Sequence, residues 1–328
     1  MNEGTRTVDV ETLGLAEAAE VANAILDEVC RAVLGKRDVL RLILSGLVAD
    51  GHVLLDDVPG VAKTLAARSI AAAAGLDFKR VQFTPDLLPA DITGSLVLDL
   101  ATRKPGFRPG PVFTDLLLAD EVNRAPAKTQ AALLEAMQER QVTADGVAHP
   151  LPRPFLVIAT QNPVESEGTY PLPEAQLDRF LLRTRVGYPG PEDEVRLLED
   201  RVERKRDEVL LRPVCDATRF VGVQRALEDV YVDDGLLVYA VELARATRAD
   251  PRLEVGSSPR GTLALVKLAR AAALLDGRDF AGPDDFRSMA LPALAHRVVL
   301  TDEAWARRTD PEDVVREAVD RVPVPRTS

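Results

Sequence analysis

The sequence predicts an α/β fold in which a parallel five-stranded sheet flanked by helices is followed by a smaller, all-helical domain. Three observations carry this expectation. Five continuous apolar runs recur between residues 52 and 188, helix-like segments separate most of them, and after Pro189-Gly190-Pro191 no further strand run appears.

The elements follow in chain order. The start, "MNEGTRTVDVET", is polar and carries no apolar core of the kind a signal peptide needs. Residues 15 to 49 have a helical period, with Leu15, Ala18, Ala22, Ile25, Val29 and Leu34 on one side, a break at Gly35, then Val39, Ile43 and Leu47. The strand runs are "HVLLDD" from His52, "FKRVQFT" from Phe78, "DLLLAD" from Asp115, "FLVIAT" from Phe155 and "FLLRTRVGY" from Phe180. Runs that do not alternate with polar residues belong to strands covered on both faces, hence to a parallel sheet. Helical patterns then occupy 192–206, 216–228, 234–247, 259–275, 283–296 and 310–320. The expected domains are therefore 1–188 and 189–322, with 323–328, the end of "RVPVPRTS", a disordered tail.

Composition narrows the function classes. The 328 residues are 46% hydrophobic and 28% charged, ordinary for a globular protein. A net charge of −11 opposes a general affinity for nucleic acid, which needs a basic face to release counterions. The two cysteines, Cys30 and Cys215, and the three histidines, His52, His149 and His296, lack metal-ligand spacing. No apolar stretch reaches the length of a membrane span, so a cytoplasmic protein without direct membrane insertion is expected.

Several polar residues stand where these strands end. After the first run the frame is Asp57-Val58-Pro59-Gly60-Val61-Ala62-Lys63-Thr64. A phosphate-binding loop wraps backbone N–H groups around phosphates at a helix N-terminus, with lysine on the terminal phosphates and the threonine hydroxyl on Mg²⁺. Asp57 and Ala62 stand where such a loop favours glycine. Ala62 is expected to enter the helix with a right-handed backbone, and the Asp57 carboxylate to approach and repel phosphate. Taken alone, the stretch reads equally as a plain strand-turn-helix connection.

The run "FTDLLLADEVNR" ends in adjacent acids, Asp120 and Glu121. Ligands of open α/β sheets sit beyond the strand C-termini, so both acids face the crevice of the loop. One acid suits a Mg²⁺ shell and the other the orientation of an attacking water, although a solvated acidic strand end has the same pattern. "FLVIATQNP" ends in Gln161-Asn162, where an asparagine can bond a phosphate or simply open a turn. Arg179, in "PEAQLDRF", precedes the last strand run. Arg260 follows Ser258-Pro259 in the first turn of a helix, where a cation opposes the helix dipole by up to about 1 kcal/mol. A phosphate nearby reverses that sign. A surface position or an ion pair also accommodates either arginine.

With these residues in place, the chain resembles the AAA+ ATPases, specifically the MoxR family, over roughly residues 30 to 300. "VLGKRDVLRLIL", "GHVLLDDVPGVAKT", "LLLADEVNRAPAKTQAALLEAMQERQVT", "ATQNPVESEGTYPLPEAQLDRF" and "SPRGTLALVKLARAAALL" stand in family order, and the third is the most specific. The resemblance implies an AAA+ P-loop domain followed by a helical lid. It makes Lys63-Thr64 the Walker A pair and Asp120-Glu121 the Walker B pair. Asn162 becomes sensor 1, Arg260 sensor 2, and Arg179 an arginine finger acting on the neighbouring subunit. ATP or ADP would lie on Pro59, Gly60, Val61, Ala62, Lys63, Thr64 and Leu65, with Leu34 and Gly35 by the adenine, and Mg²⁺ on Thr64 and Asp120. Residues 94–112 resemble the helix-2 insert, two strands about a basic turn, and 141–151 the pre-sensor-1 hairpin, with Asp145-Gly146 at its turn. Both stretches also read as surface hairpins.

The implied function is Mg²⁺-dependent ATP hydrolysis in a homo-oligomeric ring, expected to be a hexamer, that remodels or matures a partner protein. Relatives of this kind often act beside proteins with a von Willebrand A domain. Lys63-Thr64, the acid pair, Asn162, Arg179 and Arg260 are expected to converge on a single crevice, with ATP between the sheet domain of one subunit and Arg179 of the next, and with Arg260 sensing the γ-phosphate from the lid. The rival readings are a helicase-like nucleic-acid motor, since the helix-2 insert also occurs there, and an ATP-bound scaffold with little turnover.

Overall fold

A computed structural model of the chain describes residues 12–99, 104–162 and 169–325. Most of the polar start, the basic turn expected at 100–103, Pro163 and the last three residues of the expected tail lie outside the described residues.

Two helices open the fold, α1 (Leu15–Cys30) and α2 (Arg37–Val48), broken at Gly35, whose φ of 68° is in the left-handed region. Next come β1 (Val53–Asp56), α3 (Lys63–Ala74), β2 (Phe78–Gln82), α4 (Pro89–Thr93), β3 (Gly94–Asp99), β4 (Lys104–Pro109) and β5 (Leu116–Asp120). Then follow α5 (Ala127–Glu139), β6 (Gln141–Ala144), β7 (Val147–Pro150), β8 (Leu156–Gln161), α6 (Glu174–Leu177) and β9 (Leu182–Thr184).

Strands β2, β5, β8, β1 and β9 form one sheet in that order, and every neighbouring pair is parallel. The reason the apolar runs do not alternate is visible in the core. Leu55, Leu118 and Ile158 face a cluster with α1, α2 and α3, whereas Leu54, Leu117 and Val157 face a second cluster with α5. Successive side chains point to opposite faces of a strand, so burial on both faces demands an apolar residue at every position.

Two antiparallel hairpins, β3–β4 and β6–β7, stand off the second face, and the rings of Phe107 and His149 stack between them with centroids 3.9 Å apart. Asp145 and Gly146 both take positive φ, as a tight two-residue hairpin turn requires.

The rest of the chain is mainly helical: α7 (Pro191–Arg204), α8 (Ala217–Ala226), α9 (Asp234–Arg248), then β10 (Leu253–Val255), α10 (Pro259–Leu275), α11 (Pro283–Leu294), β11 (Val299–Leu300), α12 (Asp302–Ala306) and α13 (Pro311–Asp320). Strands β10 and β11 pair antiparallel, so the lid expected to be all-helical carries one short two-stranded ribbon. Runs of three and two residues, interrupted by a register shift, are too short to show in an apolar pattern. Leu265, Leu268 and Ala269 of α10 join the cluster of α1 and α2, so the helical part shares a core with the sheet. Both cysteines are free and half-buried. Among the described residues, no helix is long and apolar enough to cross a membrane.

Candidate functional site

The C-terminal ends of β1, β5 and β8 meet at the loop from Asp57 to Ala62. Here the order of strands reverses direction, the place where open α/β sheets leave a crevice. Pro59, Gly60 and Ala62 are exposed, while Val61 and Lys63 are buried. A Cβ on Gly60 would meet nothing within 4 Å, so the loop presents free space at its middle. Helix α3 begins at Lys63, and its first N–H groups are directed at that space without a side-chain cap.

The Lys63 Nζ donates to the carbonyl of Asp57 and, at 3.3 Å, to that of Gln161, so the lysine ties the loop to the end of β8. Burial pushes its ammonium below the ordinary lysine range, and Asp57, Asp120, Asp56 and Glu121 pull it back up. Thr64 Oγ1 lies 3.5 Å from Asp120 Oδ2. A hydroxyl and a carboxylate are hard oxygen donors, and the pair fits Mg²⁺, which takes one or two protein oxygens and completes its shell with water and phosphate. Leu65 is half-buried in the same helical turn.

Asp120 is fixed from several sides. Thr160 Oγ1 donates to its Oδ1 at 2.6 Å, and Arg80 donates Nε and Nη2 to its Oδ2 at 3.0 and 2.7 Å. Glu121 takes left-handed backbone, φ 57° and ψ 51°, an uncommon state for a residue with a Cβ, and its N–H donates to Thr160 Oγ1 at 2.8 Å. Its carboxylate accepts from Gln82 Nε2 at 2.6 Å and from Arg124 at 2.9 Å. Asn162 is buried beyond β8, and its carbonyl accepts from Asn123 Nδ2 at 3.3 Å.

Leu34, half-buried, and Gly35 lie between α1 and α2. Gly35 lines a cavity of about 390 Å³ with Val33, Lys36 and Val186. A Cβ at Gly35 would fall 2.1 Å from Asp193 Oδ2 at the start of α7, so glycine is required for close approach as well as for φ.

Two expectations about the loop are corrected. Ala62 enters the helix from the left-handed conformation, φ 63° and ψ 22°, not from a right-handed one. The Asp57 carboxylate does not point into the loop: Oδ1 accepts from Val58 N at 2.8 Å and Oδ2 from Gly187 N at 2.6 Å. Burial of the carboxylate, only 7% exposed, favours these two donors over an approach to phosphate.

Within one subunit the sheet separates Arg179 and Arg260 from the loop, the acid pair and Asn162. Leu181 N donates to His52 O, and Leu182 pairs with Val53, so Arg179 stands beyond the N-terminal end of the strands. The loop leaves their C-terminal end. Four residues of parallel strand, about 13 Å, lie between the two edges. Arg260 accompanies Arg179: its Nη1 is 4.0 Å from Asp178 Oδ2, and both arginines line a cavity of about 280 Å³ with Met137, Gln138 and Asp178. Ser258 Oγ donates to Asp178 at 3.1 Å, and buried Arg297 donates to the carbonyl of Phe180 at 2.5 Å. Burial lowers the Arg297 guanidinium to about 10, against the pull of Asp178.

The segment 52–182 matches the model of the ATPase family associated with various cellular activities, and 245–318 matches an AAA lid domain. Protein YeaC of Bacillus subtilis is 48% identical over 92% of this chain and 93% of its own length. Chaperone MoxR1 of Mycobacterium tuberculosis is 41% identical, over 96% of this chain and 85% of its own. The chain belongs to the MoxR family of AAA+ ATPases. The crystal structure of a candidate ATPase from Cytophaga hutchinsonii superposes with a TM-score of 0.88 at 36% identity, covering 95% of this chain and 97% of that one.

Within this MoxR frame, Arg80, Gln82, Thr160 and Asp178 are contacts that the motifs did not single out. Arg80 and Gln82 stand two apart in β2 and so share a face, beside β5, where Gln82 pairs with Asp120. Two long polar side chains at period 2 in an edge strand were the available signal.

Proposed function

We propose that the protein is a Mg²⁺-dependent ATPase that works as a homo-oligomeric ring, with a hexamer the expected form, and remodels or matures a partner protein. One observation supports this reading above the rest. Lys63, Thr64, Asp120, Glu121 and Asn162 gather at one edge of the sheet, while Arg179 and Arg260 stand together at the other. An arginine a strand's length from its own loop can meet a phosphate only on a second copy.

In this mechanism ATP or ADP lies along Pro59 to Leu65, with Leu34 and Gly35 by the base. The uncapped N–H groups of α3 and Lys63 take the phosphates. Thr64 and Asp120 hold Mg²⁺, which when bound neutralises phosphate charge. Glu121 orients and deprotonates the attacking water, and Asn162 positions it. Arg179 and Arg260 of the next copy stabilise charge on the γ-phosphate, the role of an arginine finger. Because Arg260 is carried on α10, loss of that phosphate frees the lid, and motion passes to the client. A partner with a von Willebrand A domain and a chaperone-like client are proposed from the family resemblance and the name of the mycobacterial relative.

The test uses mixed rings. Arg179→Ala and Lys63→Ala are each expected to abolish phosphate release alone. Mixed together they should recover part of it, since some interfaces then combine an intact loop with an intact arginine. No recovery in demonstrably mixed rings rejects action between copies. Stimulation by single-stranded DNA in the same assay would favour the motor reading, and an unaltered protein that binds ATP with no phosphate release would favour the scaffold.

A further inference from the structure

We infer that Arg80 is a positioning residue that holds the Asp120 carboxylate before a magnesium nucleotide arrives, and that Arg80 and Mg²⁺ compete for the same carboxylate oxygen. The inference rests on the nucleotide reading proposed above. It concerns which groups Asp120 must give up when that reading is fulfilled.

The two oxygens of Asp120 are not equivalent. Oδ1 accepts from Thr160 Oγ1, whose own oxygen accepts from Glu121 N, so the hydroxyl proton is committed to Asp120. Oδ2 faces Thr64 Oγ1 at 3.5 Å and is therefore the oxygen that would share a cation with the threonine. It is also the oxygen that Arg80 takes with two nitrogens, at 3.0 and 2.7 Å. Asp120 is 7% exposed, and a carboxylate buried to that degree needs a positive partner. Arg80 supplies one in the form of a planar fork with both prongs on one oxygen.

The same geometry makes the contact displaceable. A divalent ion on Oδ2 would stand within a few ångströms of the guanidinium, and like charges at that range repel. Strand β2 is an edge strand, and the Arg80 side chain is 48% exposed, so it has a path to water. Gln82 Oε1, 2.7 Å from Nη2, keeps the displaced group near the strand. An arginine placed only for stability would need neither the edge position nor the choice of Oδ2.

Competition has a sign that can be measured. Binding of a non-hydrolysable ATP analogue is followed by calorimetry while free Mg²⁺ is varied, in the unaltered protein and in Arg80→Ala, Arg80→Gln and Arg80→Lys. The free Mg²⁺ needed for half-maximal binding should fall three- to tenfold in the Ala and Gln variants. It should fall less in the Lys variant, which keeps the charge but loses the fork. Without Mg²⁺ the Ala variant should melt lower than the unaltered protein, and saturating magnesium analogue should narrow that gap. An unchanged or raised Mg²⁺ requirement in variants that bind the analogue overturns the inference alone. An unaltered protein that binds the analogue with no Mg²⁺ requirement overturns this inference but not nucleotide binding, whereas one that does not bind the analogue overturns the nucleotide reading and this inference with it. Should Arg80→Ala fail to fold, Arg80→Lys carries the test in the same direction.

Discussion

The carboxylate of Asp57 accepts a hydrogen bond from the backbone N–H of Gly187 at 2.6 Å, which fastens the first residue of the phosphate-loop frame to the chain leaving the sheet for the lid. The other end of the contact is equally constrained. Gly187 has φ 65°, and Lys36 Nζ donates to the carbonyl of the next residue, Tyr188. The loop and the domain junction are thus one hydrogen-bonded unit, and Asp57 is its buried anion.

This sets the outcome of changing Asp57. Asp57→Gly removes the buried carboxylate that accepts from two N–H groups, at a cost of about 2 kcal/mol or more. Thermal and urea melts should show that loss, and ATP-analogue affinity should weaken or stay level. Asp57→Asn keeps one acceptor oxygen and should lose less. A tighter nucleotide complex in a variant of unaltered stability would restore phosphate repulsion as the role of this carboxylate.

Ala62 behaves in the opposite sense. Its left-handed backbone costs an L-residue roughly 1–2 kcal/mol, which glycine avoids. Glycine gives back part of that through the wider freedom of the unfolded chain, about 0.4–1 kcal/mol. Ala62→Gly is therefore expected to raise stability by up to about 1 kcal/mol. Melts of the variant and the parent, run side by side, decide it; a lower midpoint rejects the strain.

How far the site was legible follows from these residues. The five runs map onto β1, β2, β5, β8 and β9, and in the inner strands β1, β5 and β8 burial on both faces writes itself into consecutive positions. That Lys63, Thr64, Asp120 and Asn162 stand at one end of the sheet was legible because a parallel sheet brings strand C-termini together whatever their separation in sequence. The backbone state of Ala62 was not: one methyl is compatible with either conformation until the helix start is fixed in space. Nor was the direction of the Asp57 carboxylate, which depends on Gly187, a residue 130 positions away. The separation of Arg179 from its own loop required the register of β9 against β1, which no local pattern encodes.

Glu121 is held by Gln82 and Arg124 in a strained backbone state directly after β5, the kind of position where strain accompanies function. Glu121→Gln should still bind ATP and should slow phosphate release at least about 100-fold, in line with the loss of a general base. Binding by calorimetry and turnover by phosphate release separate the two effects. Near-normal turnover in that variant removes Glu121 from the mechanism.

Arg260 and Asp178 yield a paired expectation. Arg260→Ala should lower phosphate release while the same subunit's nucleotide affinity stays within about twofold, because Arg260 is directed at Asp178 and the far edge of the sheet. Asp178→Asn weakens the hold of Ser258, Arg260 and Arg297 on the segment before β9, and should mimic Arg260→Ala in turnover. Both variants should regain activity in mixtures with Lys63→Ala. A large loss of affinity in unmixed Arg260→Ala would place this arginine on its own subunit's nucleotide instead.

His52 makes stability depend on pH. Its Nδ1 accepts from Val157 N at 3.1 Å, and its Nε2 contacts the carbonyl of Met137 at 3.1 Å, so the neutral ring with its proton on Nε2 satisfies both neighbours. Burial, the largest cause, lowers the imidazole to about 4, although the Met137 carbonyl opposes the shift. His296 is driven the same way, chiefly by burial and then by Arg297. A group whose folded pKa lies below its unfolded value keeps its full stability at high pH, because protonation then favours neither state. As pH falls below the unfolded value, about 6.5, the unfolded chain takes up the proton first and stability declines. The decline attributable to His52 should run from about pH 6.5 down to about pH 4 and reach roughly 3 kcal/mol at most. Urea melts at intervals across this window should give midpoints that fall with pH. In His52→Gln, whose amide can also accept from Val157 and donate to Met137, the fall should be shallower. An equal slope in both proteins would assign the pH dependence to His296 or to the carboxylates instead.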